Sequence, residues 1–165
     1  DNKIMKGIGT KLYGPKLDLT RAQLAQILYN LEAEPKNGET ELTLTDVDAE
    51  EWYAAAVKWA TSNKIVKGYP DKTFRPDDSV TRQDMVTMIA RYAAYKKLTL
   101  VTDDSWKDFK DYEDVGEWAE DAMAWAVANG LVNGMTADTL VPNGTATRGQ
   151  IAKIMMMFNS TYAVK

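Results

Sequence analysis

The side chains that could carry chemistry in this 165-residue chain are carboxylates, lysines, arginines, tyrosines and some hydroxyls, because it has no His and no Cys. Those absences exclude a Ser-His-Asp triad, a thiol nucleophile, a His-ligated zinc and a His-ligated haem. Two acids roughly 5–9 Å apart in a groove could still cleave a glycosidic bond. Asp71, Asp77, Asp78 and Asp84 are available for that, but they recur poorly along the chain. The run Asp46–Glu51 lacks the mid-loop Gly and ligand spacing of an EF-hand. No metal, no cofactor and no enzymatic activity are expected.

What does recur is an arginine at a fixed address. Asn63-Lys64-Ile65-Val66-Lys67-Gly68 reappears as Asn129-Gly130-Leu131-Val132-Asn133-Gly134, and more faintly as Asn2-Lys3-Ile4-Met5-Lys6-Gly7. A Pro follows each final Gly after eight residues (Pro15, Pro76, Pro142), and then comes Thr20-Arg21, Thr81-Arg82 or Thr147-Arg148. The Arg-to-Arg period is 61 and then 66 residues, so the chain is a repeat.

These arginines are positioned by helices. Leu24, Ile27, Leu28 and Leu31 follow Arg21 at the spacing of one helical face. Met85, Met88, Ile89 and Tyr92 do the same after Arg82, as do Ile151, Ile154, Met155 and Phe158 after Arg148. Each Thr is an N-cap, with Gln23, Asp84 or Gln150 three residues on to complete a capping box or a close relative of one. A second helix precedes two of the glycines: Trp52, Ala55, Ala56 and Trp59, then Trp118, Ala122, Met123 and Trp125. Small Ala beside large Trp lets two helices approach closely, so Trp59 and Trp125 read as core, with Trp52 and Trp118 nearer the exposed helix starts. The first repeat lacks this helix, which would leave the apolar face after Arg21 without a partner of its own.

The formal charge of −4 and pI of about 4.9 argue against a nucleic-acid partner. No apolar run approaches the roughly 18 residues of a membrane span, so no membrane insertion is expected. Residues 32–51 and 103–121 each sum to −7, leaving +10 for the remainder. The two acidic stretches read as solvated linkers. A chain of this length buries roughly 70% of its unfolded surface and needs no metal or disulfide to fold.

The chain resembles S-layer homology repeats, the cell-wall anchoring modules of bacterial surface proteins. The resemblance rests on Trp52 to Trp59, on Gly68-Tyr69-Pro70-Asp71-Lys72-Thr73-Phe74-Arg75-Pro76, and on Val80-Thr81-Arg82. Lys72 stands where the family usually has Gly, and Gln or Asp replaces the Glu after Thr-Arg-x. Residues 1–34 read as a partial first repeat, 42–97 as the second and 106–163 as the third. The second is the best preserved; the third keeps Asp138 but has Met135 and Leu140 for its two aromatics. The resemblance implies an all-α domain, pseudo-threefold and three-lobed, exported to the cell surface. It implies non-catalytic binding of secondary cell-wall polysaccharide, often bearing a pyruvylated amino sugar, in grooves between repeats.

In the family the Arg of the Thr-Arg pair contacts that acidic sugar. Here Arg82 would lead, followed by Arg148 and Arg21, each beside free N–H groups at the positive end of a helix. A sugar carboxylate would gain charge-assisted, possibly bidentate bonds from the guanidinium. Gly68 would allow close backbone approach, Tyr69 would stack on sugar, Asp71 would accept from hydroxyls and Lys72 would add positive charge. Trp52 and Trp118 complete the candidate set. The alternatives are structural: each Arg pairs with an acid of a neighbouring repeat, and Asp71 braces its own turn. A second function is a protein–protein assembly module, completed by a helix from another chain or a cleaved fragment.

Overall fold

A computed structural model describes residues 14–32, 35 and 43–162. Among these the chain is all-α, with five helices: α1 (Arg21–Leu31), α2 (Ala54–Ser62), α3 (Arg82–Tyr95), α4 (Glu120–Ala128) and α5 (Arg148–Tyr162). Three short 3-10 turns lie between α3 and α4. The faint first copy at 2–7 lies outside the described residues. The chain forms two compact units. One comprises 1–14 and 19–80, the other 15–18 and 81–165. Their boundary falls just ahead of Thr81, so each unit joins a Thr-Arg helix to the Trp helix of the repeat that follows it.

In the first unit α1 packs on α2. Leu24 and Leu28 are fully buried, and Tyr29 meets the Trp59 ring edge-on at 5.7 Å. The helix after Arg21 therefore has a partner, contrary to the sequence expectation: the helix supplied by the next repeat covers it. In the second unit α3 packs on α4 in the same way. There α5 closes the core through Phe158, which lies against Tyr92 and Trp125. Trp125 Nε1 donates to the Tyr162 hydroxyl at 2.9 Å, which in turn donates to Asn129 Oδ1 at 3.3 Å.

Trp59 and Trp125 are 1% and 0% exposed, as core residues must be. Trp52 and Trp118 differ from the sequence assignment. Trp52 precedes α2, whose buried face is Ala56, Val57, Trp59 and Ala60 with Ala55 turned outward. Trp118 lies in the 3-10 turn Glu117–Ala119 ahead of α4. The two rings are 59% and 54% exposed.

The recurring Asn-Lys-Ile-Val and Asn-Gly-Leu-Val motifs are helix terminators. Asn63 and Asn129 side chains donate back to the carbonyls of Trp59 and Trp125 at 2.8 and 2.7 Å. Lys64 and Gly130 then take left-handed backbone, φ +60° and +66°. Ile65 and Leu131 donate to the carbonyls of Ala60 and Ala126, which completes a Schellman motif. Gly adopts this conformation without steric cost, whereas Lys pays for its Cβ. Lys64→Gly is expected to stabilise the protein by about 1 kcal/mol, read as a rise in the urea midpoint. Trp59→Ala is expected to cost about 3–5 kcal/mol in the same assay.

Candidate functional site

The first turn of each Thr-Arg helix is closed by backbone. Arg21 and Ala22 donate their N–H groups to the carbonyls of Asp78 and Pro76, both at 3.0 Å. Arg82 and Gln83 donate to Gly144 and Pro142 at 2.9 and 3.0 Å, and Arg148 and Gly149 to Leu17 and Pro15, both at 2.9 Å. The third N–H goes to the capping hydroxyl of Thr20, Thr81 or Thr147, and the fourth to that residue's carbonyl. Gln23 and Gln150 return the bond to the cap backbone. Asp84 is shorter and accepts instead from the Thr81 hydroxyl, at 2.8 Å. All four orphan donors of each helix are thus occupied, which corrects the expectation that they are free for an anion.

The arginine side chains are buried, with Arg21, Arg82 and Arg148 at 6%, 5% and 5% exposure. Arg21 Nε donates to the Phe74 carbonyl at 2.8 Å, and Arg82 Nε to the Leu140 carbonyl at 2.8 Å. Phe74 and Leu140 are equivalent positions in successive repeats. Arg21 and Arg82 therefore each enter the loop of the repeat after their own. The residue that meets the Gly68–Thr73 loop in this way is Arg21, not Arg82 as the sequence grouping has it. The first-repeat loop, through Tyr13, lies outside the described residues.

Around Arg21 the site is cationic and aromatic. Its guanidinium carbon lies 4.9 Å from the centre of the Tyr69 ring and 5.0 Å from that of Phe74. Arg75 lies over the same Tyr69 ring at 3.9 Å, so the ring already carries a guanidinium. Arg75 Nη2 donates to Asp71 at 3.1 Å, and Asp71 also accepts from the Thr73 amide and hydroxyl at 3.0 and 2.6 Å. These bonds, the Thr73 hydroxyl foremost, hold the Asp71 carboxyl below the usual carboxylate range. Arg21 makes no ion pair among the described residues.

The turn carrying these groups is fixed from beneath. Asp46 accepts from the Phe74 and Arg75 amides, both at 2.7 Å, and the Lys72 carbonyl accepts from Thr45 at 2.9 Å. A Cβ on Gly68 would stand 2.6 Å from Leu44 Cδ2, so the close approach there is made by Leu44. Lys72 and Arg75 are left-handed, φ +61° and +58°, which gives the family's Gly at the Lys72 position a steric reason. Gly14 and Val141, the counterparts of Arg75, are left-handed too.

The second unit repeats the frame with different chemistry. Asp111 accepts from the Leu140 and Val141 amides, both at 2.7 Å, and Phe109 lies over Gly134. Arg82 has a further contact from Nη2 to the Asn133 carbonyl at 3.4 Å. Burial pushes the Arg82 guanidinium below its ordinary value, and Asp111 offsets part of that. Met135 stands for Tyr69 and Val141 for Arg75, so no aromatic or second cation faces this arginine from those positions. Asp138 falls one position later than Asp71, in the place of Lys72, and pairs with Lys110. Trp118 sits beside Gly116, whose amide donates to Gln83 at 2.8 Å.

Asp46, Asp111 and Arg75 were not among the sequence candidates. Asp46 and Asp111 belong to the stretches read as solvated linkers, yet each clamps two amides. The signal was present in Leu44-Thr45-Asp46 and Phe109-Lys110-Asp111, an apolar residue two before an acid ahead of each Trp helix. Asp46→Ala is expected to cost about 2 kcal/mol, with Asp46→Asn between it and the parent, read by urea unfolding. Asp71 is expected to titrate below 3.8 by carboxyl NMR. Its contacts thus persist as pH falls and are lost only below that midpoint. Thr73→Val should raise the midpoint more than Arg75→Ala does.

The S-layer homology domain profile matches residues 1–25, 43–86 and 108–152, most of the chain. An exoglucanase of Acetivibrio thermocellus is 32% identical over 92% of this chain, which corresponds to 14% of that protein. A cellulosome-anchoring protein of the same species is 31% identical over 88% of the chain and 33% of its own length. A middle cell wall protein of Brevibacillus brevis is 32% identical over 92% of the chain and 13% of its own length. The chain thus spans a third or less of these relatives, and the matching segment occurs in proteins named as an exoglucanase, a cellulosome-anchoring protein and a cell wall protein. With its profile matched in three places and each Thr-Arg helix start locked into the loop of another repeat, the chain belongs to the S-layer homology domain family.

Proposed function

We propose that this chain anchors a protein to the bacterial cell surface by binding secondary cell-wall polysaccharide without catalysis, and that Arg21 with the Tyr69–Arg75 loop is its leading site. The observation that carries this reading is the Arg21 guanidinium. It is buried, held through Nε, and without a carboxylate among the described residues. An uncompensated buried cation is costly, and an acidic sugar offers the missing charge with paired acceptors. Arg75 and Lys72 add positive charge at the rim, and the exposed ring of Trp52 offers surface for a pyranose. The pyruvate ketal of an amino sugar is the decoration that fits this site. Arg82 with Trp118, and Arg148, form further sites of the same design, with fewer cationic neighbours around Arg82.

Cell-surface localisation is supported by relatives whose names place them at the wall, the surface layer or the cell surface. Relatives named as glucanases share only the segment that this chain spans, which supports an anchoring role over a catalytic one. The chemistry agrees. A general acid needs a raised pKa, and Asp71 is held low by Thr73 and Arg75. Several sites on one polymer would add avidity without new contacts.

Calorimetric titration with pyruvylated wall polysaccharide, beside the same polymer stripped of pyruvate, tests the reading. Binding is expected to the intact polymer alone. Arg75→Ala and Lys72→Ala, both exposed and safe for the fold, should each weaken it several-fold. Arg21→Lys should weaken it more than Arg82→Lys, because the guanidinium fork is lost at the more cationic site. Equal binding to both polymers would remove the carboxylate contact, and no binding to either by a folded protein would overturn the anchor.

A further inference from the structure

The residue after the arginine in each Thr-Arg helix is Ala22, Gln83 or Gly149. All three donate their N–H to the carbonyl of a Pro in another repeat, so they are equivalent in place. Of the three, Gln83 carries a polar side chain, and the residue is only 6% exposed. A buried amide is unfavourable unless its ends are bonded, and here both are. Gln83 Oε1 accepts from the Gly116 amide at 2.8 Å, and Nε2 donates to Asn143 Oδ1 at 2.6 Å. Asn143 Nδ2 donates in turn to the Asp114 carbonyl at 3.3 Å. The side chain therefore ties the loop after Pro142 to the segment that leads into α4.

That segment carries Trp118. The Gly116 carbonyl accepts from the Ala119 amide at 2.7 Å, which closes the turn, while Gln83 holds the Gly116 amide. Val115 and Ala119 are buried, and Trp118 between them is more than half exposed. Its indole lies back on Gly116, where a Cβ would stand 2.5 Å from Nε1. The Gly116 φ of −65° is open to any residue, so what requires Gly here is the close approach of the ring. The second repeat holds its exposed Trp differently. Two residues before Trp52, the Glu50 amide donates to Asp48 of its own segment at 3.0 Å, and the Trp52 ring meets Tyr53 edge-on at 5.2 Å.

We propose that Gln83 is a positioning residue of the second sugar site: through Gly116 it fixes the Trp118 ring as a stacking face for the sugar that Arg82 engages. Two consecutive residues of one helical turn then divide the work. Arg82, fastened to the Leu140 and Asn133 carbonyls, supplies charge, and Gln83 sets the ring. Fixing an exposed aromatic before binding removes its ordering cost from the affinity. The proposal rests on the anchoring reading and gives Gln83 a role that Ala22 and Gly149 have no side chain to fill.

The test is fluorine NMR of the protein labelled with fluorotryptophan at its five tryptophans, titrated with a short pyruvylated fragment of the wall polysaccharide. The Trp118 signal is assigned by its loss in Trp118→Phe. In the parent both the Trp52 and Trp118 signals should move as the fragment is added. In Gln83→Ala, which installs the residue found at position 22, the midpoint at Trp118 should rise roughly fivefold and the midpoint at Trp52 should stay. Gly116→Ala displaces the ring from its other side, leaves Gln83 in place and should give the same result. An unchanged Trp118 midpoint in these variants overturns the proposal, as does an equal rise at Trp52. Calorimetric binding with a silent Trp118 signal overturns it alone, whereas absence of calorimetric binding removes the anchoring reading and this proposal together.

Discussion

An α-helix begins with four N–H groups that have no partner inside it, and in this protein the way those groups are satisfied organises everything around them. The capping Thr takes two. The other two reach carbonyls at and two residues beyond the Pro of a different repeat: Pro76 and Asp78 for α1, Pro142 and Gly144 for α3, Pro15 and Leu17 for α5. The arginine that opens the helix then fastens its side chain to a carbonyl just before that Pro, at Phe74 or Leu140. A repeat cannot complete its own helix start. Each depends on another for two amide bonds and for the burial of a cation.

That dependence makes loop geometry the critical variable, and the loops are correspondingly well held. A Schellman motif ends the Trp helix, a left-handed residue precedes the Pro, and one carboxylate, Asp46 or Asp111, gathers two successive amides between them. The carbonyl that receives the arginine belongs to the same residue whose amide the carboxylate holds. The acid of one segment and the arginine of another thus grip opposite sides of Phe74 or of Leu140. The frame is the same in both units, while the side chains displayed on it are free to change.

The change is chemical. In one unit Tyr69 carries Arg75 on its ring, with Arg21 beside it and Asp71 bracing the turn. In the other, Met135 and Val141 occupy the equivalent places and Asp138 turns to Lys110. A frame that spends its helix N–H groups on its own backbone leaves an anion only the guanidinium edges to meet. Charge around each arginine therefore decides what that arginine can hold.

The repeat, the five helices, the Thr caps of α1, α3 and α5 and the burial of Trp59 and Trp125 are legible in the sequence alone, because periodicity and cap chemistry are local. The family's motif was equally legible at Gly68–Pro76 and the Thr-Arg pairs. Tertiary structure alone decided which loop each arginine enters, since the pairing of Arg21 with Phe74 and of Arg82 with Leu140 crosses a repeat boundary that no local pattern marks. It also decided that Asp46 and Asp111 are clamps instead of solvated charges, and that α2 covers α1. An acid in a charged run looks the same in sequence whether it faces water or two backbone amides, and only folding brings those amides to it.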